Sequence, residues 1–433
     1  MNRLKRYENY KDSGVEWLGE IPEHWEIQKL KFNSKIETGN SISDSQKGNY
    51  ENIEDESYPY IATKDINYDF STIDYSNGLR IPINNKNFKI SNPDTTLICI
   101  EGGSAGKKIA FNTQKICFVN KLASIQSINS NVPKFLYYLT KSYIFKKQFE
   151  LSMNGLIGGV SISTMKNFEL IFPPKEEQTK IASFLDEKTA QIDEVISQKE
   201  KLIELLKERK QIVINDAVTK GLDKDVEFVD SGVEWIGKIP KHWEISKLGT
   251  SLKPISIKNR ADLPLLSVTR EQGVILRDVD DKESNHNFIP DDLSGYKMVE
   301  KGQFAMNKMK AWQGSYGISD YTGIVSPAYF IFELNGIEPT FFHKAIRSSV
   351  YVPFFIKASD GVRIGQWDLS KSRMKEIPFY IPPKEEQIKI VEYIENQTSK
   401  IDIAIELQQN YISKLKEYKA SLIDSVVTGK VKV

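Results

Sequence analysis

The stretch DSGVEWLGEIPEHWEI at residues 12–27 returns as DSGVEWIGKIPKHWEI at 230–245. Three of the sixteen positions differ (Leu18/Ile236, Glu20/Lys238, Glu23/Lys241), and the offset is 218. A second pair follows at an offset of 209: FPPKEEQTKI at 172–181 and IPPKEEQIKI at 381–390. An internal repeat of this quality sets the architecture before any local reading. The chain is two copies of one unit, each with a Trp-rich lead, a long block, a Pro-Pro hinge and a polar-apolar periodic segment. Lead and hinge agree between copies, whereas the blocks between them share little. A duplicated frame with divergent inserts fits a chain that makes two different readings from one geometry.

The periodic segments read as helices. After Pro173-Pro174 long side chains recur at Ile181, Leu185, Lys188, Ile192, Val195, Lys199, Leu202, Leu206, Arg209 and Val213. These steps of four and three make a heptad seam. Adding 209 gives Ile390, Ile394, Gln397, Ile401, Ala404, Gln408, Tyr411, Leu415, Tyr418 and Leu422, so Lys188 and Lys199 match Gln397 and Gln408. No Pro or Gly interrupts 175–219 or 384–427. At ~1.5 Å rise per residue each helix would run roughly 65 Å. Gly221 and Gly429 suit left-handed caps at the ends. Two equal copies in one chain relate most simply by a pseudo-two-fold axis, which makes the helices antiparallel.

The expected fold class is therefore α+β: two mixed α/β globular domains separated by two long antiparallel helices. The boundaries read as a lead at 1–27, a first block at 28–172, a central helix at 173–221, a second lead at 222–245, a second block at 246–382 and a C-terminal helix at 383–433. Helix packing is expected from Ile181, Leu185, Ile192, Val195, Leu202 and Leu206 against Ile390, Ile394, Ile401, Tyr411, Leu415 and Leu422. Trp17, Trp25, Trp235 and Trp243, with Pro22 and Pro240, look like aromatic clasps docked against helix ends.

Composition bounds the rest. The 433 residues are 40% hydrophobic and 27% charged, as in globular chains of two or three domains. Met1 to Lys11 is basic without an apolar run behind it, and no stretch approaches the ~18 apolar residues of a membrane span. A cytoplasmic chain is expected, with Cys99 and Cys117 as core thiols. The net charge of +1 hides an uneven distribution. Residues 29–172 carry 17 basic against 13 acidic side chains, and 246–382 carry 18 against 15. The helical segments run the other way, with 8 against 10 and 6 against 8.

Within the blocks, short β-like runs (97–100, 115–120, 264–268, 328–334) alternate with turns. Three landmarks repeat. Tyr60-Ile61-Ala62-Thr63-Lys64-Asp65 parallels Leu266-Ser267-Val268-Thr269-Arg270-Glu271. Gly103-Ser104-Ala105-Gly106 parallels Gly314-Ser315-Tyr316-Gly317. Glycine-bearing loops precede each hinge, Gly155 to Lys166 and Gly361 to Lys371. Sequence readout of DNA needs Arg or Lys for guanine and Asn or Gln for adenine, while phosphates are met by Lys, Ser, Thr and amides at Gly-rich turns. The candidates are Thr63, Lys64, Ser104, Lys107, Lys108, Ser161 and Lys166 in the first block. In the second they are Thr269, Arg270, Gln272, Lys308, Lys310, Gln313, Arg363 and Gln366, with Trp312 and Trp367 as stacking groups.

No motif of catalysis completes itself. Glu101-Gly102-Gly103-Ser104-Ala105-Gly106-Lys107-Lys108 lacks the first glycine and the Ser/Thr of a phosphate-binding loop. His24, His242, His286 and His343 have no metal-ligand spacing. The chain is expected to be non-catalytic, with no metal site.

The two leads, the PPKEEQ-x-KI hinges with their helices, and AWQGSYGISDYTGIVSPAY at 311–329 resemble the specificity subunit of type I restriction-modification enzymes. The resemblance covers essentially the whole chain in family order. It implies that each block is a target-recognition domain for half of a split site on double-stranded DNA, with the helices fixing the gap. It implies two methyltransferase subunits docked along the helices and a restriction/translocase subunit. S-adenosylmethionine, ATP and Mg would belong to those partners, leaving this chain no cofactor of its own. A coiled-coil assembly scaffold with two protein-binding heads is the alternative.

Overall fold

The computed structural model describes residues 5–15, 18–51, 53, 56–153, 158–278, 289–363 and 366–433. Trp17, Gly155 and His286 lie outside the described residues, as do the side chains of Arg363 and Gln366. The chain divides into two compact units, residues 1–200 with 409–433, and residues 201–408.

The first unit is built on an antiparallel sheet in the order Ser34–Thr38, Leu122–Ser127, Thr95–Cys99, Ile109–Asn112. The helices Pro133–Thr140 and Tyr143–Leu151 belong to the same core. A second, mixed sheet pairs Ser57–Ile61 in parallel with Ile116–Phe118 and flanks them with Arg80–Pro82 and Ile90–Ser91. The second unit repeats the first sheet with Leu252–Ile255, Tyr329–Leu334, Phe304–Asn307 and Tyr316–Ile318. The helix Pro339–Ile346 stands where Pro133–Thr140 stands, and both begin with proline, whose missing N–H costs nothing in the first turn. Cys99 and Cys117 are buried free thiols, and burial pushes Cys117 up to about 12.

The repeated motifs account for how each unit closes. The tail of the lead pairs with the strand before the hinge: Glu26–Lys29 with Glu169–Phe172, and Glu244–Lys247 with Pro378–Ile381. The hinge prolines end those strands because proline cannot donate to a ladder. The glutamine of PPKEEQ then ties the hinge to the neighbouring helix. Gln178 accepts from the Val132 amide at 3.0 Å and donates to the Pro173 carbonyl; Gln387 accepts from Glu338 at 2.9 Å and donates to Pro382. In both cases a helix N-cap amide finds its acceptor in a side chain from another element.

The long helices run Lys175–Lys220 and Lys384–Val427. Within the first unit Asp193 pairs with Lys419 at 2.5 Å, and the Lys199 ammonium lies over the Tyr411 ring at 4.6 Å. An advance along one segment is thus a retreat along the other, so the two are antiparallel. The second unit agrees: Lys210 meets Asp402 at 2.7 Å, while Gly221, past the end of one helix, lies beside Glu386 at the start of the other.

The seam differs from the expected one by a single step. Val195, Leu202 and Tyr411 are 40, 42 and 53% exposed, whereas Ile196 and Ile203 are buried and Ile412 packs against the core. The inward residues begin Ile181, Leu185, Thr189, Ile192, Ile196. Buried residues fall both on the strict heptad (Ile181, Leu185, Ile192, Val213) and one position past it (Thr189, Ile196, Ile203), so the inward stripe is one residue wider than a heptad seam. Ile181, Leu185, Ile192, Ile390, Ile394 and Leu422 are buried, and Leu206, Ile401 and Leu415 are half-buried.

Candidate nucleic-acid interface

The three landmarks meet in the first unit; in the second, two are joined directly and the third is tied to the adjoining segment 308–312. In the first, the Lys108 ammonium donates to the Thr63 carbonyl at 2.8 Å, joining the Thr-Lys-Asp turn to the loop at 100–108. That loop is bound in turn to the segment before the hinge. The Gly102 amide donates to Gly158 at 3.0 Å, the Val160 amide to Ile100 at 3.0 Å, and Glu101 bridges Gly159. In the second unit one side chain gathers two landmarks. The Arg347 guanidinium donates to the carbonyls of Arg270 at 2.7 Å, Glu271 at 2.9 Å, Tyr316 at 2.6 Å and Gly314 at 3.4 Å. The third is held by the Trp367 amide on Met309 and by a Lys308–Asp368 ion pair at 3.1 Å.

Because these contacts use backbone carbonyls, they leave most side chains outward. Lys64, Lys107, Arg270, Gln272 and Lys310 are exposed, while Thr63, Ser104, Thr269 and Gln313 are half-buried. Thr269 is occupied locally, accepting from the Gln272 amide and donating to Gly273. Ser161 caps the short helix Ile162–Met165, accepting from Thr164, and Lys166 ends it. Lys108 and Lys308 serve first as internal ties, so the free donors are fewer than the residue types suggest. Thr63 and Lys64 also line a cleft of about 710 Å³ with Lys47, Asn120 and Lys121, a recess of mixed polarity bordered by exposed cations that the sequence did not single out.

Two expectations require correction. Gly103–Gly106 forms a turn with Gly103 exposed and Ala105 buried, and Gly102 and Gly106 have φ of 88 and 70°. Its counterpart is a turn only at Gly314; Ser315 is buried and Tyr316–Ile318 enters the sheet as a strand. Likewise the glycine-bearing segment of the second block is a β-hairpin, Ser359–Arg363 with Gln366–Leu369. Its Trp367 stacks on Trp312 at 5.0 Å with 21° between the rings, and Gly361 lies against the Trp367 indole. The two indoles cover each other, and the Trp312 N–H is buried without a hydrogen-bond partner among the described residues.

Arg347 and His343 were missed because their importance is long-range. His343 accepts the Ile318 amide at 3.1 Å and packs beneath Gly273 and Gly317. Burial, then the neighbouring Arg347 and Lys344 charges, hold it down to about 4. Among the described residues no His, Cys, Asp and Glu group could hold a metal, and no helix is long and apolar enough to cross a membrane.

Residues 22–205 and 335–413 match the model of the type I restriction modification DNA specificity domain. The chain is 24% identical to the putative type I restriction enzyme MjaX specificity subunit of Methanocaldococcus jannaschii, over 98% of this chain and 97% of that one. It is also 24% identical to the type I restriction enzyme EcoKI specificity subunit of Escherichia coli K12, over 95% and 90%. Among solved structures, a chain from work on assembly and conformational transition of the type I R-M system superposes with a TM-score of 0.67. That match has 14% identity and covers 95% of this chain and 99% of the other. The HsdS subunit of Thermoanaerobacter tengcongensis superposes with a TM-score of 0.52 at 16% identity, covering 95% and 98%. The likeness to these two is one of fold.

Proposed function

Because the chain belongs to the family of type I restriction-modification DNA specificity subunits, we propose that its two blocks each read one half of a bipartite duplex target through the joined landmark loops. The observation that carries this reading is that both units bring the same three segments together, directly or through the adjoining segment 308–312, each by its own ties, and turn a different set of donors outward. The first offers lysines (Lys64, Lys107, Lys121), suited to phosphates and guanine; the second offers Arg270, Gln272 and Lys310, which add adenine-type and bidentate readout. Different half-sites follow from one scaffold.

The antiparallel helices set the gap between half-sites. Two readers joined stiffly bind with a high effective concentration when the spacing matches and lose it when it does not. Two methyltransferase subunits dock along the helices, whose outer faces expose Leu205 (52%), Ile403 (55%) and Leu407 (51%) besides the residues displaced from the seam. Those subunits supply S-adenosylmethionine chemistry, a restriction subunit supplies ATP- and Mg-dependent work, and this chain is the non-catalytic reader in the cytoplasm.

Exchanging residues 28–172 for the corresponding block of a relative, in the assembled methyltransferase, tests the division of labour. Mapping of methylated sites should show one half of the target changed; a change in both halves rules out separate readers. Lengthening the central helix by one heptad should alter the permitted gap, and an unchanged gap removes the measuring role.

A further inference from the structure

A cavity of about 480 Å³ in the first unit touches the helix seam at Ile196 and the outward donors at Lys107, but the rest of its wall belongs to neither. Its walls are the loop at 68–71, the turn at 105–107, the helix Tyr143–Leu151 and one face of each long-helix segment of that unit. Five lysines and three acids line it, an excess of two positive charges (5 − 3). Two of the lysines are matched: Lys416 pairs with Asp69 at 2.6 Å and Lys419 with Asp193 at 2.5 Å. Lys107, Lys141 and Lys146 remain, with only Glu150 as a further acid on the wall. Among the described residues none of the three has a carboxylate within 4.0 Å.

Lys141 is the most enclosed of them. Its ammonium donates to the Ser71 hydroxyl at 2.8 Å and the Tyr137 hydroxyl at 3.0 Å, which uses two of its three protons. Burial holds it down to about 8. An ammonium is taken out of water at a cost unless an opposite charge faces it. The second unit shows the alternative solution. Arg347 occupies the same place, directly after the corresponding helix and before a serine that bonds back into it (Ser142 to Leu139, Ser348 to Ala345). There the cation is consumed by the four backbone carbonyls already described. In the first unit the equivalent cation meets two neutral hydroxyls and the face of the Tyr137 ring at 4.9 Å, with the Asp193 charge nearby but no carboxylate within 4.0 Å among the described residues, and borders an open cavity.

We propose that this cavity binds a small phosphate-bearing ligand of mononucleotide size. The charge surplus matches a phosphomonoester, which carries about −1.5 to −2 at neutral pH. Three lysines on its wall offer donors for the three oxygens, Lys107 while also donating to the Gly103 carbonyl at 3.3 Å. Phe149, Ile109, Ile196 and Met153 give the rest of the space an apolar wall for an organic body. The volume lies in the range of small-ligand sites, roughly 300–1,000 Å³. A duplex presents its phosphates on a convex ridge too broad for a recess of this size, so the site is separate from the DNA-reading loops except for the turn at 105–107, whose Lys107 borders both.

Titration calorimetry on the full chain without DNA, using inorganic phosphate and AMP as probes, tests it. Both should bind with a stoichiometry of one at millimolar concentrations or below, and AMP should bind more tightly. Lys141→Met should weaken AMP by about tenfold or more, the loss expected for one charge-assisted bond. Lys146→Gln should do so in the same direction, and decides the matter should Lys141→Met not fold. Saturating duplex DNA should leave AMP bound. The proposal is overturned by the absence of heat with both probes, by unchanged affinity in the variants, or by displacement of AMP by DNA.

Discussion

Glu177 accepts the indole N–H of Trp25 at 3.1 Å, and 209 residues later Glu386 accepts that of Trp243 at 3.2 Å. The lead of each repeat is thereby fastened to the first turn of its own helix, where a carboxylate is favoured by the helix dipole. His24 and His242 reach the same two carboxylates at 2.6 and 2.8 Å, and Tyr7 adds a third donor to Glu177. Burial alone would raise the Glu177 carboxyl, but its three hydrogen bonds outweigh that and hold it below the ordinary range. Replacing Glu177 by Ala leaves the N–H of the fully buried Trp25 without an acceptor. The expected loss is about 1–3 kcal/mol, and Glu177→Gln, which keeps an acceptor, should lose less. Urea unfolding checks both; equal midpoints for wild type and Glu177→Ala would remove the clasp from the stability account.

His343 makes the second unit sensitive to acid. Its pKa is held down to about 4 in the folded chain, against about 6.5 when unfolded, because burial and two cations disfavour the protonated ring. As pH falls below 6.5 the unfolded chain takes up a proton that the folded chain refuses. The stability from the neutral ring is therefore full above pH 6.5 and declines towards pH 4, by up to about 3 kcal/mol. Between pH 7 and 5 the unfolding midpoint should fall more steeply for wild type than for His343→Gln. Parallel profiles would show that the ring titrates normally.

The same contacts show why Arg347 cannot be exchanged for lysine without loss. One planar fork serves carbonyls from a turn and from the strand Tyr316–Ile318, a geometry that a single ammonium on a flexible stem does not reproduce. Arg347→Lys should cost about 1–3 kcal/mol, since some of those carbonyls lose a charged donor. It should also loosen the 269–272 turn that presents Arg270 and Gln272. In a gel-shift assay the variant should bind the intact target more weakly, and the weakening should vanish when the half-site assigned to the second block is scrambled. Retained affinity would mean that the turn needs no such support.

What the sequence disclosed followed from repetition and period. Two near-identical leads and two PPKEEQ hinges could be matched by eye, and they proved to be the parts that lock each unit. The helices were legible from the absence of Pro and Gly and from spacing, but the seam was not. At Val195-Ile196, Leu202-Ile203 and Tyr411-Ile412 two apolar or aromatic residues stand side by side, so a count of periods permits either. Only packing, with Thr189 rather than Lys188 turned inward, selects the second of each pair. The landmark loops were legible as matching segments. The ties between them were not, since Arg347 to Arg270 and Lys108 to Thr63 span 77 and 45 residues with no local pattern. The cavity around Lys141 was equally hidden, because its walls come from five separate stretches.

The two glycines that end the long helices should not be equally tolerant. Gly221 and Gly429 both sit at positive φ, 70 and 75°, so an alanine at either is strained by about 1 kcal/mol before any contact is considered. The neighbours differ. A Cβ at Gly429 would stand 2.4 Å from the Pro22 Cδ and 2.5 Å from its Cγ, atoms of a rigid ring held in the lead hairpin. At Gly221 the nearest atom is the Glu386 Oε1 at 2.8 Å, the far end of a side chain that can shift at the expense of its bond from the Trp243 indole, followed by the Trp243 ring at 3.2 Å. Gly429→Ala must therefore move backbone, or break the bond from the Tyr10 hydroxyl to the Gly429 carbonyl, whereas Gly221→Ala chiefly disturbs one carboxylate. The expected order of destabilisation is Gly429→Ala, about 3 kcal/mol or more, above Gly221→Ala, about 1–2 kcal/mol. Thermal unfolding of the two variants side by side decides it. Equal shifts would mean that the positive φ alone sets the cost and that the proline ring yields.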